Sequence, residues 1–103
     1  MRRAARIDDN HRAIVAVLRG YGAVVESLAA VGHGMPDLLV GVGGRNHLVE
    51  VKDGKKWPSH RRLTSDQVAF HAMWATRGGA PIVLLSSVAD AETWVKHQIA
   101  TPA

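Results

Sequence analysis

Pro36-Asp37-Leu38-Leu39-Val40-Gly41-Val42-Gly43-Gly44-Arg45-Asn46-His47-Leu48-Val49-Glu50-Val51-Lys52 is the stretch that decides the fold. Leu38 to Val42 is one apolar run, His47 to Val51 is a second, and Gly43-Gly44-Arg45-Asn46 between them predicts a β-hairpin turn. With Gly43-Gly44 as a two-residue loop, Val42 pairs with Arg45 and Asp37 falls opposite Glu50. A four-residue loop moves Glu50 opposite Leu39 and leaves Asp37 and Glu50 as diagonal neighbours on the same face. A three-residue loop would separate them, because a one-residue slip reverses the face of every side chain. Opposed residues have Cβ atoms roughly 4.5 to 5.5 Å apart and diagonal ones about 7 to 8 Å, and either span suits one divalent cation. Lys52 lies two residues beyond Glu50 and shares its face, while Val51 points the other way, toward the core.

Two carboxylates held this close repel, and the repulsion must be offset by a proton, a cation or solvent. Hard oxygen donors favour Mg²⁺, which takes one or two carboxylates and fills its remaining positions with water and phosphate oxygens. A lysine beside such a pair can orient an attacking water or offset charge developing on phosphate. The plainer alternative is a surface hairpin carrying a Glu50/Lys52 pair, with an aspartate at its start.

Composition narrows the partner. The 103 residues fit one domain, and 47% apolar residues supply a modest core. A formal net charge of +4 favours an anionic partner. No segment is long and apolar enough to span a membrane, and the amino terminus has no apolar stretch of signal-peptide type, so the expectation is a soluble, cytoplasmic protein. With no cysteine, disulfides, thiolate metal sites and a cysteine nucleophile are excluded. The six histidines show no HExxH spacing, and no GxxxxGK[ST], strand-linked GxGxxG or GxSxG is present, which leaves zinc hydrolysis, nucleotide cofactors and serine hydrolysis without support.

The remaining sequence predicts an α-β-β-β-α-β-α order. Asp8 or Asp9 caps a helix running to about Arg19, with Ile14, Val15, Val17 and Leu18 on its apolar side and Gly20-Tyr21-Gly22 as its stop. Ala23 to Leu28 is a strand, the hairpin follows, and Asp53 to Leu63 is a polar, basic loop. Thr64 caps a helix to about Arg77, Gly78-Gly79 ends it, Pro81 to Leu85 is a buried-type strand, and Ser86 or Ser87 starts a last helix to about Gln98. Met1 to Arg6 and Thr101 to Ala103 read as loose ends.

Pro36-Asp37, twelve intervening residues and Glu50-Val51-Lys52, set in this element order, resemble the PD-(D/E)XK nuclease superfamily. Leu63-Thr64-Ser65-Asp66-Gln67, opening the helix after the hairpin, is similar to the small virus-type replication-repair nuclease (VRR-NUC) branch found as standalone phage proteins, and the resemblance covers nearly the whole chain. It implies a single restriction-endonuclease-like α/β domain over residues 1–103, with a mixed central sheet flanked by helices. It implies that Asp37, Glu50 and the main-chain carbonyl of Val51 ligate Mg²⁺ or Mn²⁺, that Lys52 assists the attacking water, and that Gln67 supports the lysine or the water network. The implied activity is hydrolysis of DNA phosphodiester bonds, with standalone members resembling Holliday junction resolvases that act as homodimers. One departure stands out. Where many members carry a first-helix acid near the metal, helical spacing here turns Asn10 inward, with Asp8, Asp9 and Glu26 as weaker substitutes.

Several residues carry two readings. Gln67 completes a Thr64-x-x-Gln67 capping box and need do nothing else. Asn10 reads equally as a bond to the first helical turn, and His71, one turn after Gln67, either reaches the site or, the favoured reading, is a partly exposed helix histidine. His33 reads as a loop residue that can touch substrate, and Gly32 and Gly34 as places where a nucleic-acid backbone comes close. Lys55, Lys56, Ser59, His60, Arg61 and Arg62 surround Trp57 directly after the carboxylates and are the expected phosphate contacts, with Arg2, Arg3 and Arg6 as a second basic arm. Phe70, Met73 and Trp74 form a stripe expected to pack within the domain, as do Trp94, Val95 and Ile99. The expected function is structure-selective DNA cleavage, and the alternative is a non-catalytic nucleic-acid-binding module with a degenerate nuclease site.

Overall fold

A computed structural model describes residues 9–52 and 63–103. The element order is α1 (Asp9–Gly20), β1 (Val24–Ser27), β2 (Leu38–Val42), β3 (Arg45–Val51), α2 (Ser65–Thr76), β4 (Val83–Leu85) and α3 (Val88–Ala100). This is a single α/β domain, and its four strands form one sheet in the order β1-β2-β3-β4. The first three strands are antiparallel neighbours, and β4 lies parallel to β3, so the sheet is mixed.

The hairpin takes the two-residue turn. Val42 pairs with Arg45 and Leu38 with Val49. Gly43 and Gly44 both have positive φ, at 63° and 79°, the pattern of a turn that twists in the same sense as its strands. Arg45 and Asn46 therefore belong to β3 rather than to the loop.

One face of the sheet is dry. Leu38, Val40 and Val42 alternate inward along β2 and meet Val25, Val49, Val51 and Leu85, beneath Ile14 and Leu18 of α1 and Ala91 and Val95 of α3. Ile14 and Leu18 are four residues apart and both fully buried, as helical spacing requires of a core-facing stripe. Val15 and Val17 only flank this core. His47 contributes an edge-on contact to Trp94, with ring centroids 4.9 Å apart.

The other face is much barer. No residue of α2 is buried, so the Phe70, Met73 and Trp74 stripe is not the internal packing its spacing suggests. Phe70 and Trp74 stack on each other at 5.7 Å, while Met73 remains 50% exposed. Helical periodicity identifies a stripe but not what covers it. In β4 the expected buried strand shortens to three residues, and only Leu85 is buried. Leu84 lies opposite Glu50 and is half exposed.

Both later helices are capped as their sequences predict. Thr64 and Gln67 form a reciprocal capping box on α2, and the Ser87 side chain accepts from the Asp90 amide on α3. The carboxyl-terminal residues are tied down, contrary to expectation. The Arg45 guanidinium donates to the carbonyls of Thr101 and Pro102, which anchors them to the start of β3.

Candidate active site

The site grows from the open end of the hairpin. Extending the register one step beyond Leu38 and Val49 sets Asp37 opposite Glu50. In a two-residue hairpin the pairs that exchange hydrogen bonds alternate with pairs that do not, and Asp37/Glu50 falls on the second kind, where side chains approach most closely. The next pair outward is Pro36/Val51. Proline has no N–H to offer the Val51 carbonyl, and the Val51 N–H turns instead to Asp37 Oδ2 at 2.7 Å. The proline thus brings the aspartate onto the main chain of β3 and leaves the Val51 carbonyl without its usual partner on β2.

Glu50 is the one buried charged residue among those described, with 0% exposure. Burial, followed by repulsion from Asp37 and a hydrogen bond to it, pushes its carboxyl up to about 8, against the opposing pull of Lys52. Two residues of α2 hold its oxygens. Gln67 Nε2 donates to Oε1 at 3.2 Å, and His71 Nε2 lies 3.1 Å from Oε2. Burial and the Lys52 ammonium push the His71 imidazole below its ordinary value. Near neutral pH, with no cation bound, Glu50 keeps its proton and His71 is uncharged, so their contact is a neutral hydrogen bond rather than an ion pair.

Gln67 performs both of the roles open to it. Its Oε1 accepts from the Thr64 amide at 2.8 Å, completing the capping box, and also from Lys52 Nζ at 2.9 Å. One side chain therefore caps the start of the helix, holds the lysine and holds the glutamate.

The first-helix residue behaves differently. Asn10 Nδ2 donates to the carbonyls of Lys52, at 3.0 Å, and Ser86, at 3.1 Å, joining the ends of β3 and β4. It bonds two strands rather than its own helical turn, and it acts on Lys52 through the main chain. Its buried Oδ1 has no partner among the described residues.

The loop before Asp37 is shaped by α2. Gly34 has φ +80°, and a Cβ there would collide with the Asp66 main chain. The close approach foreseen for this glycine is thus to the chain's own helix. His33 takes a left-handed φ of 57°, unusual for a residue with a side chain, and shares a cleft with Asp66, Phe70 and Met73.

The structure brings together Asp37, Glu50, Val51, Lys52 and Gln67, and adds His71 by the less favoured of its two sequence readings, the one in which it reaches the site. The signal was its spacing, since Gln67 and His71 share a helix face. Deciding that this face meets Glu50 requires the packing. Lys55, Lys56, Ser59, His60, Arg61 and Arg62 lie outside the described residues, as do Trp57, Arg2, Arg3 and Arg6. Among the described residues no three Asp, Glu or His side chains gather into a ready-made metal cage. The candidate donors are two carboxylates and a carbonyl. Also among the described residues, no helix is long and apolar enough to cross a membrane. No family model matches the chain, and no curated protein or solved structure matches it either.

Proposed function

We propose that the chain is a metal-dependent, structure-selective DNA endonuclease of the PD-(D/E)XK superfamily, VRR-NUC branch, hydrolysing phosphodiester bonds in branched DNA such as Holliday junctions. The observation that carries this reading is the opposed Asp37/Glu50 pair, joined through Gln67 to Lys52. A pair whose mutual repulsion helps lift Glu50 to about 8 takes up either a proton or a cation. Its oxygen donors suit Mg²⁺ or Mn²⁺. Asp37, Glu50 and the Val51 carbonyl would hold the ion, which supplies Lewis acidity toward a phosphoryl oxygen. Lys52 is kept beside the pair by Gln67, where its ammonium orients the attacking water and offsets charge developing on the phosphate. Asn10 fixes the Lys52 main chain from behind.

The net charge of +4 and the Lys55 to Arg62 segment favour a polyanionic substrate. No base-reading helix is recognised in the sequence, so selection is by shape and branching. A homodimer would set two sites on a four-way junction.

The test is a panel of four-way junctions, flaps, bubbles and linear duplexes, incubated with Mg²⁺ or Mn²⁺. Branched substrates are cut, and EDTA, Asp37→Ala, Glu50→Ala or Lys52→Ala abolishes cutting in a folded domain. Full activity in Asp37→Ala would sink the mechanism. Salt-sensitive DNA binding indifferent to metal and to Asp37 would instead make the chain a non-catalytic nucleic-acid-binding module.

A further inference from the structure

Glu50 is fully buried, yet none of the apolar residues of α2 is buried around it. What fixes its carboxyl group is polar. Each oxygen meets a nitrogen from one face of α2: Gln67 Nε2 at Oε1 and His71 Nε2 at Oε2. Gln67 is independently tied to Thr64 and Lys52, whereas the His71 ring has Glu50 as its one hydrogen-bond partner among the described residues. The histidine side chain is 19% exposed, so its outer edge reaches solvent.

We propose that His71 is a positioning residue for Glu50, holding Oε2 through an Nε2–H so that the carboxylate presents its remaining lone pairs toward Asp37 and a divalent cation. This rests on the nuclease reading above. An ionised carboxylate can only accept hydrogen bonds, so with a cation bound Nε2 must carry the hydrogen. The carboxylate has about four lone-pair sites, and two are spent on α2, leaving two for the cation. Gln67 meets Oε1 alone, and on α2 it is His71 that meets Oε2. Partners that orient a metal-binding group in this way typically contribute about 10- to 100-fold in metal affinity.

Mn²⁺ binding to the full chain, followed by electron paramagnetic resonance and by calorimetry, tests the proposal without relying on catalysis. His71→Ala is expected to weaken Mn²⁺ binding by about 10- to 100-fold. His71→Gln, which keeps a donor at similar reach, is expected to recover most of it. Both variants should melt near the wild-type temperature. Junction cleavage by His71→Ala should return as Mn²⁺ is raised, marking a defect in metal occupancy rather than in the chemical step. If His71→Ala binds Mn²⁺ as tightly as wild type while Glu50→Gln does not bind it, the role of His71 is overturned and the nuclease reading stands. If wild type itself binds no Mn²⁺, both fall together. A directly coordinated nitrogen in the spectrum of bound Mn²⁺, lost in His71→Ala, would make His71 a ligand and overturn the positioning role.

Discussion

On the α1 and α3 side of the sheet, apolar side chains from α1, β1, β4 and α3 close over Leu38, Val40 and Val49 until none is exposed; on the α2 side, a helix with no buried residue meets the sheet largely through hydrogen bonds to Glu50 and Lys52. The first arrangement gains its free energy from area removed from water, and at its edge it leaves the buried His47 Nε2 without a hydrogen-bond partner among the described residues. The second spends free energy, since it buries a carboxyl group against another carboxylate. One face stabilises the domain, and that stability allows the other to keep a repulsive pair in place. The alternation of β2 and β3 divides the tasks residue by residue, with Val49 and Val51 inward and Glu50 outward.

Breaking the dry face should have the largest effect. Leu18→Ala removes a fully buried side chain, and a loss of about 2 to 5 kcal/mol is expected in urea unfolding. That is a large share of the roughly 5 to 15 kcal/mol that holds a domain together. Retention of near-wild-type stability would mean that the core is centred elsewhere.

The polar face should show itself through pH. Glu50 titrates at about 8 in the folded chain against 4.5 ordinarily, so between these values the native state holds a proton that the unfolded chain has released. Stability attributable to Glu50 is therefore full below about pH 4.5 and falls as pH rises toward 8. His71, held below its ordinary 6.5, acts in the opposite direction on the acid side, so the comparison needs a variant. Without divalent cations, Glu50→Gln should flatten the decline measured by urea midpoints at pH 5 and pH 8, a difference on the order of a few kcal/mol. An identical slope in the two proteins would show that Glu50 is ionised throughout.

The contact between the loop and α2 sharpens the comparison further. Gly34→Ala puts a Cβ into the Asp66 main chain at a φ of +80°, and a cost of about 1 to 3 kcal/mol is expected, together with weaker DNA cleavage as Asp37 shifts relative to Gln67. Cleavage and stability both unchanged would show that the loop is free of the helix. At the small end, Val68→Ser alters a residue of α2 that is 53% exposed, and its effect on the melting free energy should stay within about 0.5 kcal/mol. A larger loss would reveal a covering partner for that face.

Much of this is legible in the sequence. The two glycines after Val42 select the turn, the turn selects the register, and the register converges Asp37, Glu50 and Lys52. The capping box on Gln67 was equally visible, because it depends on residues three apart. The tie between Arg45 and the last residues and the Asn10 strut between β3 and β4 were not, and the Glu50–His71 contact was visible only as the less favoured reading of a helix face. Each joins segments at least 21 residues apart, and local spacing says nothing about which distant segment arrives.

The stripe on α2 marks the boundary most clearly. Phe70, Met73 and Trp74 are spaced to bury themselves, and sequence alone assigns them to a core; the tertiary arrangement instead gives the core to α1 and α3 and leaves α2 to hold the carboxyl pair. By itself the chain determined which residues share a strand face or a helical turn, because those periods are built into the backbone. Only the tertiary structure decided which face would be dry and which would hold the carboxylates, because burial depends on what packs opposite. The same physics allows Gln67 to be both a cap and a clamp. The cap is a local bond, and the clamp exists only once α2 is laid against β3.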